Sequence, residues 1–234
     1  MNQQCEVVFL VDVDNTLIDN DRIVEDLRRR LDLDFGALRA KRYWAIFEEL
    51  RSKQGYADYI GALQQFRSEA ERVMGNDLRL IALASFLIDY PFAERVFPRA
   101  LDVVAYLNRI GQTVIVSDGD AIFQERKIQR SGLWDAVTGR VLIYVHKEEE
   151  LDDVRRIYPA KHYVMIDDKL SILSASKATM GRTLTTVCPL QGHYALDPQH
   201  AAAYPAADIT IEHIADLLRV NVAALLGHSV AAIS

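Results

Sequence analysis

Short runs of apolar residues alternate along this chain of 234 residues with longer stretches whose apolar residues recur every three or four positions. The first short run, at 7–11, is rich in valine and is followed at once by polar, turn-forming residues. Such a run predicts a strand that is buried on both faces, which is typical of a parallel sheet. Similar runs occur at 113–116, 141–145, 163–166, 184–188 and 208–210. Because helical patterns separate these later runs, the sequence predicts an α/β fold with a doubly wound parallel sheet.

The stretch 20–95 differs from the rest of the chain, because no strand-like alternation interrupts its helical periodicity. Glycines such as Gly36 and Gly55 break it into several helices. The segment 77–89 is apolar on nearly all sides, so we expect it to be sandwiched between other elements. The pattern therefore predicts an all-helical insertion directly after the first strand. The insertion is either a small second domain or a set of helices within one larger fold.

Composition excludes several classes of protein. A formal net charge of −6 argues against a general polyanion binder, so we expect no nucleic-acid partner. No apolar run reaches the roughly 20 residues that span a bilayer, and the N-terminus shows no signal-peptide pattern. We therefore expect a cytoplasmic protein. Cys5 and Cys188 lack metal-ligand spacing, and buried free thiols are favoured over a disulfide.

Candidate chemistry begins where the first strand ends, in the phrase DVDNTLIDND. Asp12 and Asp14 are two positions apart, so in an extended chain their side chains point to the same face. Two carboxylates that converge on one cleft need a cation, a shared proton or solvent, and this is a first indication of a Mg²⁺ site. The alternative is that they are ordinary turn and helix-capping residues.

Other predicted strands also end in polar side chains. The second strand runs into Ser117, the third reaches Lys147, and the fourth ends at the pair Asp167 and Asp168. Because the carboxyl ends of parallel strands lie at one edge of the sheet, we expect these groups to meet there. A nucleophilic carboxylate, a second carboxyl, a cation and hydrogen-bond donors are what phosphoryl transfer needs.

The phrase DVDNTLIDND resembles the first motif of the haloacid dehalogenase-like (HAD) hydrolase superfamily, and the order of the later strand-end groups is similar to that family's remaining motifs. The resemblance implies that Asp12 is a nucleophile that becomes an aspartyl phosphate. It implies that Asp14 is the general acid/base and that its backbone carbonyl reaches the metal. Lys147 resembles the lysine that orients the nucleophile and the phosphate.

The same resemblance assigns the remaining groups. Ser117 is expected to bind the phosphate, with the amides of Asp118 and Gly119 behind it. Mg²⁺ is expected to bind to Asp12 and Asp14 and to the pair after the fourth strand. In that pair Asp168 is the expected direct ligand, and Asp167 is expected to act through water.

The resemblance also gives the helical insertion a role. It implies a helical-cap (C1-type) member, with a core domain formed by residues 1–19 and 96–234 and a cap domain formed by residues 20–95. In capped members the cap supplies specificity, so we expect a small phosphorylated metabolite as the substrate. The implied activity is Mg²⁺-dependent hydrolysis of a phosphate monoester.

Three questions stay open at this point. Lys127 competes with Lys147 for the lysine role, and we favour Lys147 because it follows a strand, whereas Lys127 falls about two turns into a helix. The loop at 189–194 holds Gln191 and His193, which either contact the substrate, pack on the cap or form a plain surface turn. Phosphomutase activity, 2-haloacid dehalogenation and a non-catalytic binding role are the alternative functions, and Asp14 counts against dehalogenation because a halide needs no proton.

Overall fold

The computed structural model describes residues 5–74 and 77–226, in which six strands form one parallel sheet with the order β3-β2-β1-β4-β5-β6. The strands are β1 (Cys5–Val11), β2 (Gln112–Asp118), β3 (Val141–Tyr144), β4 (Ala160–Ile166), β5 (Leu184–Pro189) and β6 (Ile209–Ile211). The predicted doubly wound parallel sheet is confirmed. β3 ends one residue before its predicted end, and β6 begins and ends one residue later than predicted.

Helices connect the strands and cover both faces of the sheet. They are α1 (Asn20–Phe35), α2 (Ala37–Gln54), α3 (Tyr59–Met74), α4 (Leu78–Ile88), α5 (Ala100–Ile110), α6 (Ala121–Arg130), α7 (Leu133–Ala136), α8 (Leu151–Ile157), α9 (Leu170–Met180), α10 (Gly192–Leu196), α11 (Pro198–Ala203) and α12 (Val222–Leu225). Short 3-10 helices occur at Phe92–Arg95, Lys147–Glu149, Gly181–Thr183 and Ile214–Arg219. Helix α11 occupies part of the alanine-rich stretch at 201–207, which the sequence predicted to be a loose surface segment.

Alternation along β1 explains why both faces of the sheet are buried. Val7, Phe9 and Val11 face one hydrophobic cluster, and Val8 and Leu10 face another. The first cluster continues into α5 and α6, and the second into α8 and α9. Helices on both faces are what a doubly wound sheet requires.

The chain between β1 and β2 is helical over α1 to α4 in its described residues, as the sequence predicted. The two ends of this helical segment lie next to each other at the sheet. Ile18 pairs with Val96, and the Asp19 N–H donates to the Arg95 carbonyl at 2.8 Å. The proposed division into a core domain and a cap at residues 19 and 96 stays a prediction. Gly75 and Asn76, a predicted break, lie outside the described residues.

The expectation that α4 is sandwiched was wrong. Leu80, Leu83 and Leu87 are buried, whereas Leu78 and Ile81 are 73% and 56% exposed. The helix therefore buries a single stripe, and its outer face carries apolar side chains that composition alone could not separate from core residues.

Two expectations drawn from composition can be compared with the structure. Cys5 and Cys188 are both free thiols, and Cys188 is buried while Cys5 is partly exposed. Within residues 5–74 and 77–226, no helix is long and apolar enough to cross a membrane.

Candidate active site

The strand order reverses between β1 and β4, and this is where the candidate site lies. β2 and β3 continue from β1 in one direction, and β5 and β6 continue from β4 in the other. Val11 pairs with Ile166, and the Asp12 N–H donates to the Ile166 carbonyl at 2.9 Å. Asp12 and Asp167, the residues that follow these strands, are thus neighbours at the point where the connecting chains diverge. Ligands of open α/β sheets bind in this crevice.

Three carboxylates crowd this point. Asp12, Asp167 and Asp168 each place an oxygen within 4.8 Å of the others, and all three residues are buried. Burial raises the pKa of Asp168, and the neighbouring Asp167 and Asp12 raise it further. Neither side-chain oxygen of Asp168 has a hydrogen-bond partner among the described residues. Oxygen ligands of this kind, with negative charge left uncompensated, fit a hard divalent cation.

The ammonium group of Lys147 offsets part of the negative charge of this carboxylate cluster. Its Nζ lies 2.5 Å from Asp12 Oδ1, 2.6 Å from Asp167 Oδ2 and 4.0 Å from Asp118 Oδ2. Burial acts to lower the pKa of Lys147, but the carboxylates outweigh that effect and hold it well above its usual range. The Lys147 N–H also donates to Asp118 Oδ1 at 2.8 Å, so the end of β2 braces the turn that carries the lysine. The ammonium group is therefore charged and fixed beside Asp12.

Asp14 is held from a different element, helix α6. Lys127 Nζ lies 2.6 Å from Asp14 Oδ1, and Gln124 Nε2 donates to Asp14 Oδ2 at 3.1 Å. The same lysine also donates to Asn20 Oδ1, at the start of α1, at 3.0 Å. Both carboxylate oxygens of Asp14 are therefore oriented by α6, while the side chain stays 29% exposed.

Side-chain direction explains how Lys127 reaches the sheet edge. Helix α6 begins directly after β2, with Asp120 as its N-cap. Side chains on a helix lean toward its N-terminus, so a long lysine two turns in can return to the strand ends. Lys127 is fully buried. Thus Lys147 and Lys127 are both part of the site, and each contacts a different aspartate.

Ser117 lies at the site, but the backbone N–H of Gly119, which was expected to help bind the phosphate, donates to another strand. Ser117 is buried, and its Oγ accepts a hydrogen bond from Gln124 Nε2 at 2.8 Å, which links it to Asp14. The Gly119 N–H donates to the Tyr144 carbonyl at 2.9 Å, so it does not point at a ligand as the sequence analysis expected. The Asp118 side chain lines the cavity and braces Lys147.

The two candidate residues of the loop after β5, Gln191 and His193, lie in different surroundings. Gln191 is buried, and its Oε1 accepts from the Ile214 N–H, so the structure places it under the loop and not among the residues that line the cavity. His193 does line the cavity, and its Nδ1 lies 2.6 Å from Asp21 Oδ1 on α1. His193 was expected either to contact the substrate or to pack on the cap. The structure shows a contact with Asp21 of the helical insertion.

A cavity of about 540 Å³ opens between the strand ends and the helical insertion. Asp14, Asp118 and Lys169 line its sheet side. Helices α1 and α2 and the segment after them supply the opposite side, which includes Arg28, Trp44, Phe47, Glu48, Arg51, Tyr56 and Tyr59. This volume is large enough for a small organic molecule in addition to a phosphate group.

Comparison with known proteins agrees with this geometry. The family model for haloacid dehalogenase-like hydrolases matches residues 7–178. The chain belongs to the haloacid dehalogenase-like hydrolase family. It is an enzyme family, and the resemblance stated from DVDNTLIDND is confirmed at the level of the family. A comparison with curated proteins finds no sequence that matches the chain.

Solved structures of HAD-like proteins share the fold. A haloacid dehalogenase-like hydrolase from Burkholderia xenovorans LB400 is 57% identical, with a TM-score of 0.86, over 92% of this chain and 99% of that one. L-2-haloacid dehalogenase from Xanthobacter autotrophicus is 14% identical, with a TM-score of 0.59, over 91% and 96%. The HAD-hydrolase YfnB from Bacillus subtilis, bound to magnesium, is 17% identical, with a TM-score of 0.59, over 93% and 98%. The last two matches establish the fold alone.

Three contributions to the site differ from what the sequence predicted, and of these residues only Lys127 was considered, as a competitor of Lys147. Gln124 bridges Ser117 and Asp14, and Lys127 orients Asp14. Lys169, directly after the aspartate pair, lines the cavity with its Nζ 5.1 Å from the ring of Tyr194. The spacing of Gln124 and Lys127, three residues apart on one face of a helix that follows a site strand, is a signal that could have found the first two.

The acidic cluster gives a testable prediction about metal binding. In Asp168→Asn, Mg²⁺ should no longer raise the thermal unfolding midpoint, because the carboxylate without a protein partner has been removed. In the wild type, Mg²⁺ at about 100 times its Kd adds about 2.7 kcal/mol to the free energy of unfolding. Without the metal, the variant should unfold at the same temperature as the wild type or higher, since a buried like charge has been removed.

Differential scanning fluorimetry with and without MgCl2 measures both effects. Asp152→Asn is the control, because that side chain is 94% exposed and its ion pair is with Arg155 on its own helix, α8. A full Mg²⁺ shift in Asp168→Asn would contradict the assignment of this residue as a metal ligand.

Proposed function

We propose that the protein hydrolyses a small phosphate monoester, with Mg²⁺, through an aspartyl phosphate on Asp12. The observation that carries this proposal is a second carboxyl group, Asp14, which lies two residues after the nucleophile and lines the cavity. Gln124 and Lys127 hold that carboxyl at the cavity. A leaving alkoxide requires a proton, whereas a leaving halide does not. A fixed carboxyl group at this position therefore favours phosphate-ester chemistry over dehalogenation.

In the proposed first step a carboxylate oxygen of Asp12 attacks phosphorus, the bond from phosphorus to the ester oxygen breaks, and Asp14 gives its proton to that oxygen. In the second step water attacks phosphorus, Asp14 takes a proton from the water, and the bond to Asp12 breaks. Inorganic phosphate is released and Asp12 is regenerated. Each residue ends the cycle in its starting state.

Lys147 keeps the nucleophile oriented and charged, because its ammonium group lies 2.5 Å from Asp12. Ser117 would hold a phosphate oxygen, and Lys169 offers a further positive charge at the cavity. Asp12, Asp168 and the Asp14 carbonyl would hold Mg²⁺, while Asp167 orients Lys147 from 2.6 Å. When bound, the cation supplies charge neutralisation, so that an anionic nucleophile can approach an anionic phosphate.

The helical insertion completes the proposal. Residues 20–95 would act as a C1-type cap over a core of residues 1–19 and 96–234, with a small phosphorylated metabolite of the cytoplasm as the substrate. The structure of YfnB, described as bound to magnesium and as revealing interdomain movement, supports the cation and a division into two domains. Phosphomutase activity uses the same residues, and product analysis separates it from hydrolysis.

Loss of the nucleophile tests the proposed function. Asp12→Asn keeps the shape of the side chain but removes the attacking carboxylate, so hydrolysis of a panel of phosphate monoesters with Mg²⁺ should fall to background. Asp32→Asn, an exposed position on α1, is prepared in parallel and should keep full activity. Because both variants are purified in the same way, a contaminating phosphatase would appear equally in each. Turnover by Asp12→Asn at the wild-type rate would refute the mechanism.

The contacts of Asp14 predict a dependence on the leaving group. Asp14→Asn should lose roughly 10²–10⁴-fold in kcat/KM, which reports on the first step, on alkyl phosphates, but much less on aryl phosphates whose phenoxide leaves without a proton. Lys127→Gln should show the same pattern to a smaller extent, because Lys127 positions the Asp14 carboxyl. A Brønsted plot of rate against leaving-group pKa measures the effect.

Lys161→Gln is the control for the lysine substitution, since Lys161 is exposed and pairs with Glu6 at the far end of the sheet. Circular dichroism confirms that each variant is folded, as breaking a buried ion pair can cost about 3–5 kcal/mol. Equal losses of kcat/KM on alkyl and aryl substrates in Asp14→Asn would mean that this residue does not protonate the leaving group.

A further inference from the structure

The cavity extends well beyond the space that a phosphate group needs, and its far side carries two arginines. Arg28 comes from α1 and Arg51 from α2, so both lie across the cavity from Asp14 and Asp118 on the sheet side. Aromatic side chains, including Trp44 and Tyr56, lie beside them. The wall formed by the helical insertion therefore carries two positive charges, whereas Lys169 lies beside carboxylates on the sheet side.

Arg28 differs from the other arginines of α1. Arg22, Arg29 and Arg30 each form an ion pair on their own helix, with Glu25 or Asp34. Among the residues that the structure describes, no carboxylate lies within ion-pair distance of Arg28. Its guanidinium lies instead over the ring of Trp44, with 4.3 Å between Cζ and the ring centroid. This stacking holds the guanidinium plane at the cavity wall while its N–H groups stay available.

Arg51 adds a second positive charge to the same wall. Its Nη2 donates to the Tyr194 hydroxyl at 2.6 Å, and its Nη1 lies 3.8 Å from Glu48, which is a long contact for an ion pair. The Tyr194 contact ties the guanidinium to α10, on the core side of the cavity. Arg51 is therefore oriented and only partly neutralised.

Most carboxylates of the cavity are already compensated. Asp14 pairs with Lys127, and Lys147 Nζ lies 4.0 Å from Asp118. Asp21 accepts hydrogen bonds from Asn15 Nδ2 and the His193 backbone N–H. Glu148 has no cation within ion-pair distance among the described residues, so an ammonium group is the competing ligand for this cavity. A preformed, stacked guanidinium is the better-defined recognition element, because its planar fork matches a carboxylate or phosphate with two parallel hydrogen bonds.

We infer that the substrate is a phosphate monoester with a carboxylate at the end remote from the transferred phosphoryl group. Arg28, stacked on Trp44, binds that carboxylate, and Arg51 strengthens the positive potential around it. The inference rests on the proposed phosphatase function, and it adds a substrate class to it. Selectivity would then arise from charge at both ends of one molecule.

The experiment compares three matched substrates at several chain lengths: ω-carboxyalkyl, ω-carbamoylalkyl and ω-aminoalkyl phosphates. Their leaving groups are nearly equal in basicity, so differences in kcat/KM report recognition of the remote group. The wild type should prefer the carboxylate over the carboxamide by at least about tenfold at the best length, the usual size of a charged hydrogen bond. In Arg28→Gln this ratio should fall close to one, and Arg28→Lys should be intermediate.

Arg29→Gln is the matched control, because Arg29 is the next residue on α1, is exposed and pairs with Glu25. It should keep the wild-type preference. If the wild type hydrolyses these esters without preferring the carboxylate at any length, the binding site for a remote carboxylate is refuted and the phosphatase function stands. If the carboxylate is preferred but Arg28→Gln keeps the preference, the assignment to Arg28 is wrong. If no phosphate ester is hydrolysed, the proposed function fails and the inference fails with it.

Discussion

The buried ion pairs of Lys147 are the contacts on which the site depends. One ammonium group lies within 2.6 Å of both Asp12 and Asp167, at the point where the strand order of the sheet reverses. Charges buried this deeply are tolerated only when each has a partner. Removing the lysine would leave three carboxylates together without the ammonium group that contacts Asp12 and Asp167. The sheet brings the aspartates together, and Lys147 makes that arrangement stable.

The charges around this point divide into partnered and unpartnered groups. Lys147 serves Asp12 and Asp167, and Lys127 serves Asp14 from helix α6. Neither side-chain oxygen of Asp168 has a hydrogen-bond partner within the described ranges, although the residue is fully buried. The protein thus leaves one carboxyl group available to bind a cation. The two lysines also differ in role. Lys147 orients the proposed nucleophile, Asp12, and Lys127 orients the proposed proton donor, Asp14.

Much of the fold and part of the site could be predicted because the signals were local. A valine-rich run predicts a buried strand wherever it occurs, and the residue after such a strand must lie at the carboxyl edge of the sheet. This is why Asp12, Lys147 and Asp167 were expected together and are found together. The exposed apolar face of α4 was not predictable in this way, because composition does not tell which stripe of a helix packs.

The contributions of α6 and of the loop after β5 depend on tertiary geometry. Lys127 was expected to lie too far down its helix, but the lean of helical side chains returns its Nζ to Asp14. Gln191 follows a site strand, yet it turns inward because the Ile214 N–H needs an acceptor. The Gly119 N–H is engaged by the Tyr144 carbonyl through strand pairing that no local pattern shows. The position of each residue in the sequence predicts that it lies near the carboxyl edge of the sheet. Its orientation there depends on which hydrogen-bond partners are available in the folded protein.

The central claim is that a covalent bond forms between Asp12 and phosphorus and that water then attacks phosphorus. Acid-quenched turnover in H2¹⁸O, followed by mass spectrometry of the peptide that contains Asp12 and of the released phosphate, tests it directly. The account predicts a phosphoryl group on Asp12 during turnover, ¹⁸O in the phosphate and no ¹⁸O in the Asp12 carboxyl. Incorporation of ¹⁸O into Asp12 would show attack at its carboxyl carbon, as in cleavage of a carbon ester, and would contradict the account.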